Sequence, residues 1–468
     1  MSDASAFPIV IAAHRFGLGE ASLAALGNDA PAWLERQIGP ADAPAGDGLL
    51  SIHQALELVA AEREKRRAAA NPPSGTTAEQ LIAGHYRETT IADARSRLTS
   101  AVTTQRPFAE RLFQFWANHF TVSLAKGSAR GLVGAFEREA IRPHIAGSFE
   151  TLLYASTTHP AMLRYLDNAL SAGPNSRVVN RLARRAAAND KTPRLSGLNE
   201  NLAREVLELH TLGVASARRV AAGSAAAAYT QADVTAFARV LTGWRVAVQA
   251  NLDQRFDPAW HEPGRKTLLG KTYAEGPDAL RDVVHDLAVH PATADHLATK
   301  LARHFVADDP PPLLVQQLAA AYRRSTGELG EVYRELIRHP LAWSPQAAKL
   351  KTPQEWVVAT LRLLGPPASA MVRPDAGAAL GQRIHAAPSP AGWSDRAEDW
   401  LGPDAVWKRV EWASRVAERA GRQLDARALA RSSLGPWLSE PTRLQIDRAA
   451  DGPQAFALLL LAPEFQRR

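Results

Sequence analysis

The chain contains no cysteine. Disulfides, iron–sulfur clusters, zinc–thiolate sites and thiol nucleophiles are therefore excluded. It also lacks any run of about 18 apolar residues, so no helix is expected to span a membrane. Met1–Phe7 shows no basic segment followed by an apolar run, and no secretory signal is expected. Gly-x-Ser-x-Gly, His-Glu-x-x-His and Walker sequences are all missing. Serine-triad hydrolases of the usual pattern and phosphate-loop enzymes drop out with them.

What is present is apolar bulk with dispersed charge. Apolar residues make up 46% of the 468 and charged residues 22%, enough to build a sizeable core. The net charge is +7 and the isoelectric point about 9.7. The basic stretches Glu62–Arg67 and Arg177–Arg194 mix their charges with alanine and turn residues and interleave no aromatic rings. They read as solvated helix faces or loops, and no nucleic-acid partner is expected.

Alanine, leucine and arginine recur at helical spacing along most of the chain. The expected architecture is all-α: one large multi-helix domain over residues 1–468 with a single short β-hairpin. Asn71–Thr76 reads as a break in a long charged helix. Ser171–Gly197 reads as a flexible basic insertion, and the Pro-Gly pair within Arg255–Tyr273 suggests the hairpin. Three His-Pro pairs, at 159, 290 and 339, each precede a helical pattern. Proline suits a first helical position, so they read as helix starts, with an internal repeat as the alternative.

The segment Asn199–Gly213 is dense in polar groups and yet helical. At about 100° per residue, Leu202, Val206 and Leu209 form an apolar stripe. Glu205 and Glu208 lie together on one flank of it, with Asn201, while His210 falls on the opposite flank. Glu205 and Glu208 can converge on one point, but His210 cannot join them from the same helix. A metal or acid–base site here must be completed by other elements. Asp233 on the next helix and His261 and Glu262 on the hairpin are the candidates, with His119, His144 and His159 upstream. The expected catalytic set is Glu205, Glu208, Asp233 and His261. The expected ligands for a divalent metal are Glu205, Glu208, His210 and His261. Asn199, Asn201, Arg204, Arg239, Trp244 and Lys266 are the expected binding residues. The structural alternative is a clamp in which Arg204 and Glu205 pair with Asp233 and Arg239. Elsewhere, His119 beside Trp116 reads as a core histidine, Arg15–Gly19 as a turn entering a helix, and Lys266 as an exposed lysine able to hold an anion.

Several blocks together resemble the bacterial domain of unknown function 1800 family. They are Arg15-Phe-Gly-Leu-Gly19, Trp116-x-x-His119-Phe120, His159-Pro-Ala-Met-Leu163 with Tyr165-Leu-Asp-Asn168, Asn199–Gly213, Tyr229–Val234, Leu241-Thr-Gly-Trp244 and Pro463–Arg467. The resemblance covers nearly the whole chain and implies no settled activity. It implies a periplasmic setting and a sulfatase-like partner, of the family named domain of unknown function 1501. The missing signal points instead to the cytoplasm. The expected function is an enzyme, a hydrolase among the options, with a metal or acid–base site lined by carboxylates and histidines from several helices. Its substrate would be carbohydrate or peptide-like. A non-catalytic binding or assembly protein is the alternative, and a heme protein a third.

Overall fold

In the computed structural model, residues 7–44, 46–68, 78–188, 197–214, 229–246, 254–365 and 375–468 are described. The expected break at Asn71–Thr76 lies outside them. Helices make up most of the described residues, and the fold is all-α with small β-ribbons, as the spacing predicts. Helices that the periodicity did not mark include Ile52–Ala68, Phe149–Thr158 and Glu440–Asp447.

The helix starts follow local chemistry. Thr230 and Asp233 form a reciprocal capping box, as do Thr352 and Glu355. All three His-Pro pairs are helix starts, and the histidine itself caps. The Nδ1 atoms of His159, His290 and His339 accept from the backbone N–H two residues on, at 3.2, 3.1 and 3.2 Å. Among the described residues, three helical stretches widen into π turns, at Ala12–Phe16, Glu137–Ile141 and Val206–His210. Such widenings concentrate at functional sites. Arg15–Gly19 closes a helix and does not open one: the Gly17 and Gly19 amides bond back to the carbonyls of Ala12 and Ala13.

Among the described residues two large apolar clusters, with a small third of Leu18, Ala101 and Val358, form the core. The larger contains Trp116, Phe120, Phe136 and Phe149, and the second surrounds Trp356, Phe456 and Phe465. A buried polar seam joins them. Arg111, on the helix Pro107–His119, donates to Gly17 O and to Glu355, and Arg468 donates to the same carboxylate at 2.8 Å.

The region after Thr230 forms two ribbons. The helix that Thr230 caps stops at Leu241. Gly243 then turns the chain with φ +90°, where a Cβ would sit 2.9 Å from the Phe256 ring. Strand β1 (Trp244–Val246) pairs antiparallel with β2 (Gln254–Phe256), and β3 (Lys266–Leu268) with β4 (Lys271–Tyr273). The expected hairpin is the second of these. Its turn is Leu269-Gly270, both left-handed (φ 51° and 77°), the geometry that matches strand twist. Pro263-Gly264 connects the ribbons instead of turning one.

Ser171–Gly197, expected to be flexible, carries a helix at Arg177–Ala188, whose Arg181, Arg184 and Arg185 point to solvent. Its start is pinned: Gly173 N and Val178 N donate to the carbonyls of Trp260 and Ala259, and Asn175 donates twice to Glu262. Those backbone partners lie some eighty residues away, which local composition cannot reveal.

Candidate functional site

The helix Asn201–Glu205 continues into the π turn Val206–His210 and ends at Gly213. Glu205 and Glu208 share a flank, as their spacing predicts. Burial, then the Glu208 charge, raises the Glu205 carboxyl above its usual range, against the pull of Arg204. Two phenols face the pair. Burial and Glu205 push Tyr165 up to about 12, and burial and Glu208 push Tyr229 higher still. Arg204 reaches Glu200 at 3.3 Å and Glu208 at 3.5 Å along its own helix, and Gln231 at 3.0 Å across to the next. The inter-helix clasp thus joins Arg204 to Gln231 and Glu200 to Gln231 and Thr235; Asp233 and Arg239 are not its partners. Asn199 Oδ1 accepts from Asn201 N at 2.9 Å, which starts the helix, and the Asn201 side chain is exposed.

The structure does not bring the remaining expected residues to this pair. Asp233 is consumed as a cap: its carboxylate accepts from Thr230 N, Thr230 Oγ1 and Leu269 N, the last at 2.8 Å. His261 sits between Thr242 O (2.7 Å from Nδ1) and Lys266 Nζ (2.8 Å from Nε2). Lys266 is buried, not exposed, and also donates to Glu262 O. Trp244 is buried edge-on to Tyr154, while Arg239 points to solvent. His210 turns inward beside Phe120. Its backbone carbonyl accepts from His119 Nε2 at 3.1 Å, and Leu209 O accepts from His296 Nε2 at 3.0 Å. Burial, helped by Lys300, holds the His210 imidazole at about 3 and His296 at about 4. His119 is the core histidine its aromatic neighbours predict, although its Nδ1 is buried without a hydrogen bond. Among the described residues no three His, Asp or Glu side chains converge closely enough to hold a metal ion.

A cavity of about 490 Å³ lies elsewhere, between the Glu137–His144 turn and the helix Phe149–Thr158. That volume is typical of a small-molecule site. Residues two apart on a helical turn face nearly opposite ways. Glu137 accordingly points inward to Arg97 and His385, and Glu139 points into the cavity. Arg142 anchors the turn through two bonds to Glu110, at 2.8 and 3.0 Å, and lies over the Phe113 ring. Glu139 accepts from Ile52 N at 2.8 Å and from His159 Nε2 at 3.5 Å. Burial alone would raise this carboxyl, but those two donors, with the charges of His159 and Arg138, outweigh it, and Glu139 is held below its usual range. His159 caps through Nδ1, so its Nε2 carries the proton, and burial keeps the ring neutral.

Glu150, Tyr154 and Thr158 line the opposite wall at spacings of four, one face of their helix. Arg281 lies over the Tyr154 ring, 4.7 Å from its centre. His285, one turn further along, bonds to Glu150 at 2.7 Å. His144 completes the cavity. Its half-buried imidazole has no side-chain hydrogen bond among the described residues, and burial lowers its proton affinity. His144 and His159 were upstream candidates in the sequence. Glu139, Glu150, Tyr154 and Arg281 were not; the polar stripe Glu150, Tyr154 and Thr158, at four-residue spacing, was the signal that could have found Glu150 and Tyr154.

No curated protein and no solved structure matches the chain. The family model described as protein of unknown function (DUF1800) matches residues 11–467. The blocks singled out in the sequence, from Arg15 to Arg467, lie within that span, and the chain belongs to this family.

Proposed function

We propose that the chain is an enzyme working by acid–base chemistry on a small polar substrate held in the 490 Å³ cavity. His144 is the proton acceptor, with Glu139, Glu150 and His159 around it. One observation carries this reading. His144, whose proton affinity burial lowers, has no side-chain hydrogen bond among the described residues, in a cavity whose other histidine is locked by a helix cap. Neutral histidine is the side chain best matched to proton transfer near pH 7. The ionised Glu139 beside it supplies a fixed negative charge in a partly dehydrated space.

The test is substrate consumption. Purified protein is incubated with pools of short peptides, amino-acid derivatives and glycosides, and mass spectrometry follows each component. Turnover should be lost in His144→Asn, a neutral change of similar size. Because burial lowers His144, wild-type turnover should hold through neutral pH and fall once the pH drops below the ordinary histidine range. No consumption in any pool, or turnover that His144→Asn leaves untouched, overturns the proposal.

A second reading is favoured by the two phenols at Glu205. A raised carboxyl paired with a second carboxylate is the arrangement of an acid and its partner base. Under this reading Glu205→Gln, not His144→Asn, abolishes turnover.

A further inference from the structure

The charges that line the cavity are unbalanced in a particular way. Glu139 is ionised but carries no ion pair to lysine or arginine among the described residues; its two donors are a backbone amide and a neutral imidazole. Glu262, more deeply buried, is likewise without an ion pair among the described residues and is held by Asn175, but three other buried carboxylates are matched by arginine. Glu110 has Arg142, Glu137 has Arg97, and Glu355 has Arg111 and Arg468. Glu139 therefore brings to the cavity a carboxylate with no direct cationic partner among the described residues, steadied only at a distance by the Arg138 charge. On the rim, Arg281 makes no ion pair or hydrogen bond among the described residues and rests only on the Tyr154 ring. An exposed arginine alone would mean little. Here it lines the same cavity as that carboxylate.

We propose that the cavity binds a zwitterion, a free amino acid or short peptide, with its ammonium on Glu139 and its carboxylate on Arg281. This rests on the cavity being the working site. Other ligand classes fit less well. A dianion would meet Glu139 and Glu150, and a dication would meet Arg281. A sugar would use a free aromatic face, but Arg281 already covers one face of Tyr154 and Trp244 meets the ring at right angles. Ile52, Ala140 and Ala155 offer apolar surface for a side chain between the two charged ends.

The test is binding by calorimetry and thermal shift. The probes are free amino acids and a dipeptide library, each unblocked, N-acetylated or C-amidated, with glucose and trehalose as neutral controls. Unblocked members should bind, and blocking either end should weaken binding about tenfold or more, the scale of a charge-assisted contact. Glu139→Gln should abolish the penalty for N-acetylation only. Arg281→Met, an exposed change that should leave folding intact, should abolish the penalty for amidation only. His144→Asn should leave this binding in place, which separates recognition from proton transfer. Equal binding of blocked and unblocked forms, or of sugars in place of peptides, overturns the zwitterion while the cavity stands as a site. Binding of no probe, with wild-type melting unchanged throughout, overturns both.

Discussion

Glu355 is one carboxylate shared by two buried arginines, Arg111 and Arg468, with His304 and Lys351 nearby. Burial alone would raise it, but the arginines hold it well below the usual carboxylate range. Removing its charge leaves two guanidinium groups without a counter-ion in the interior. Glu355→Gln should therefore cost about 3–5 kcal/mol, read as a shift in denaturant unfolding. Asp233 makes the opposite kind of prediction. Its bonds to Thr230 and Leu269 are those of a cap and a turn anchor. Asp233→Ala should lower stability by about 1–2 kcal/mol, with turnover intact once the protein is folded. Lost turnover at unchanged stability would instead make Asp233 part of the working site. Neither role was legible in the sequence. Arg111 and Glu355 stand 244 residues apart, and an acidic residue early in a helix looks the same whether it caps or reacts.

At the level of elements, the helices were legible because apolar spacing follows the 3.6-residue period wherever one face is buried. The flank shared by Glu205 and Glu208 was legible for the same reason. Where the period changes, legibility stopped. The π turn at Val206–His210 ends in Gly213, with φ +84°, where a Cβ would lie 2.6 Å from His296 Nδ1. Glycine there satisfies both a left-handed backbone and a close ring. Gly213→Ala should destabilise by more than about 1 kcal/mol, and thermal melting measures it. The Glu137–Ile141 turn hid the cavity in a similar way. Glu-Arg-Glu within a helix reads as a solvated face, and only the long-range partners Arg97 and His385 show that Glu137 points inward.

For the whole molecule, the buried histidines dominate the response to acid. Burial holds His14 and His210 at about 3, His296 at about 4, and His119 well below 6.5. Unfolded, the same rings take up protons near pH 6.5. Between pH 6.5 and 4 the unfolded chain therefore binds more protons, and the fold loses stability as the pH falls. Each ring contributes up to about 1.4 kcal/mol per pH unit over that window. Urea unfolding followed from pH 7.5 to 4.5 should show the midpoint decline from near pH 6.5, before ordinary carboxylates titrate. A midpoint constant down to pH 5 would contradict the buried neutral rings.

The three His-Pro junctions also amount to a built-in spectroscopic gauge. Each ring accepts a backbone proton at Nδ1, so all three are frozen as the same tautomer while neutral. Nitrogen resonances from selectively labelled histidine should place them in one group. Only His159 borders the cavity, so a ligand seated there should displace its signal and leave those of His290 and His339 as unmoved references.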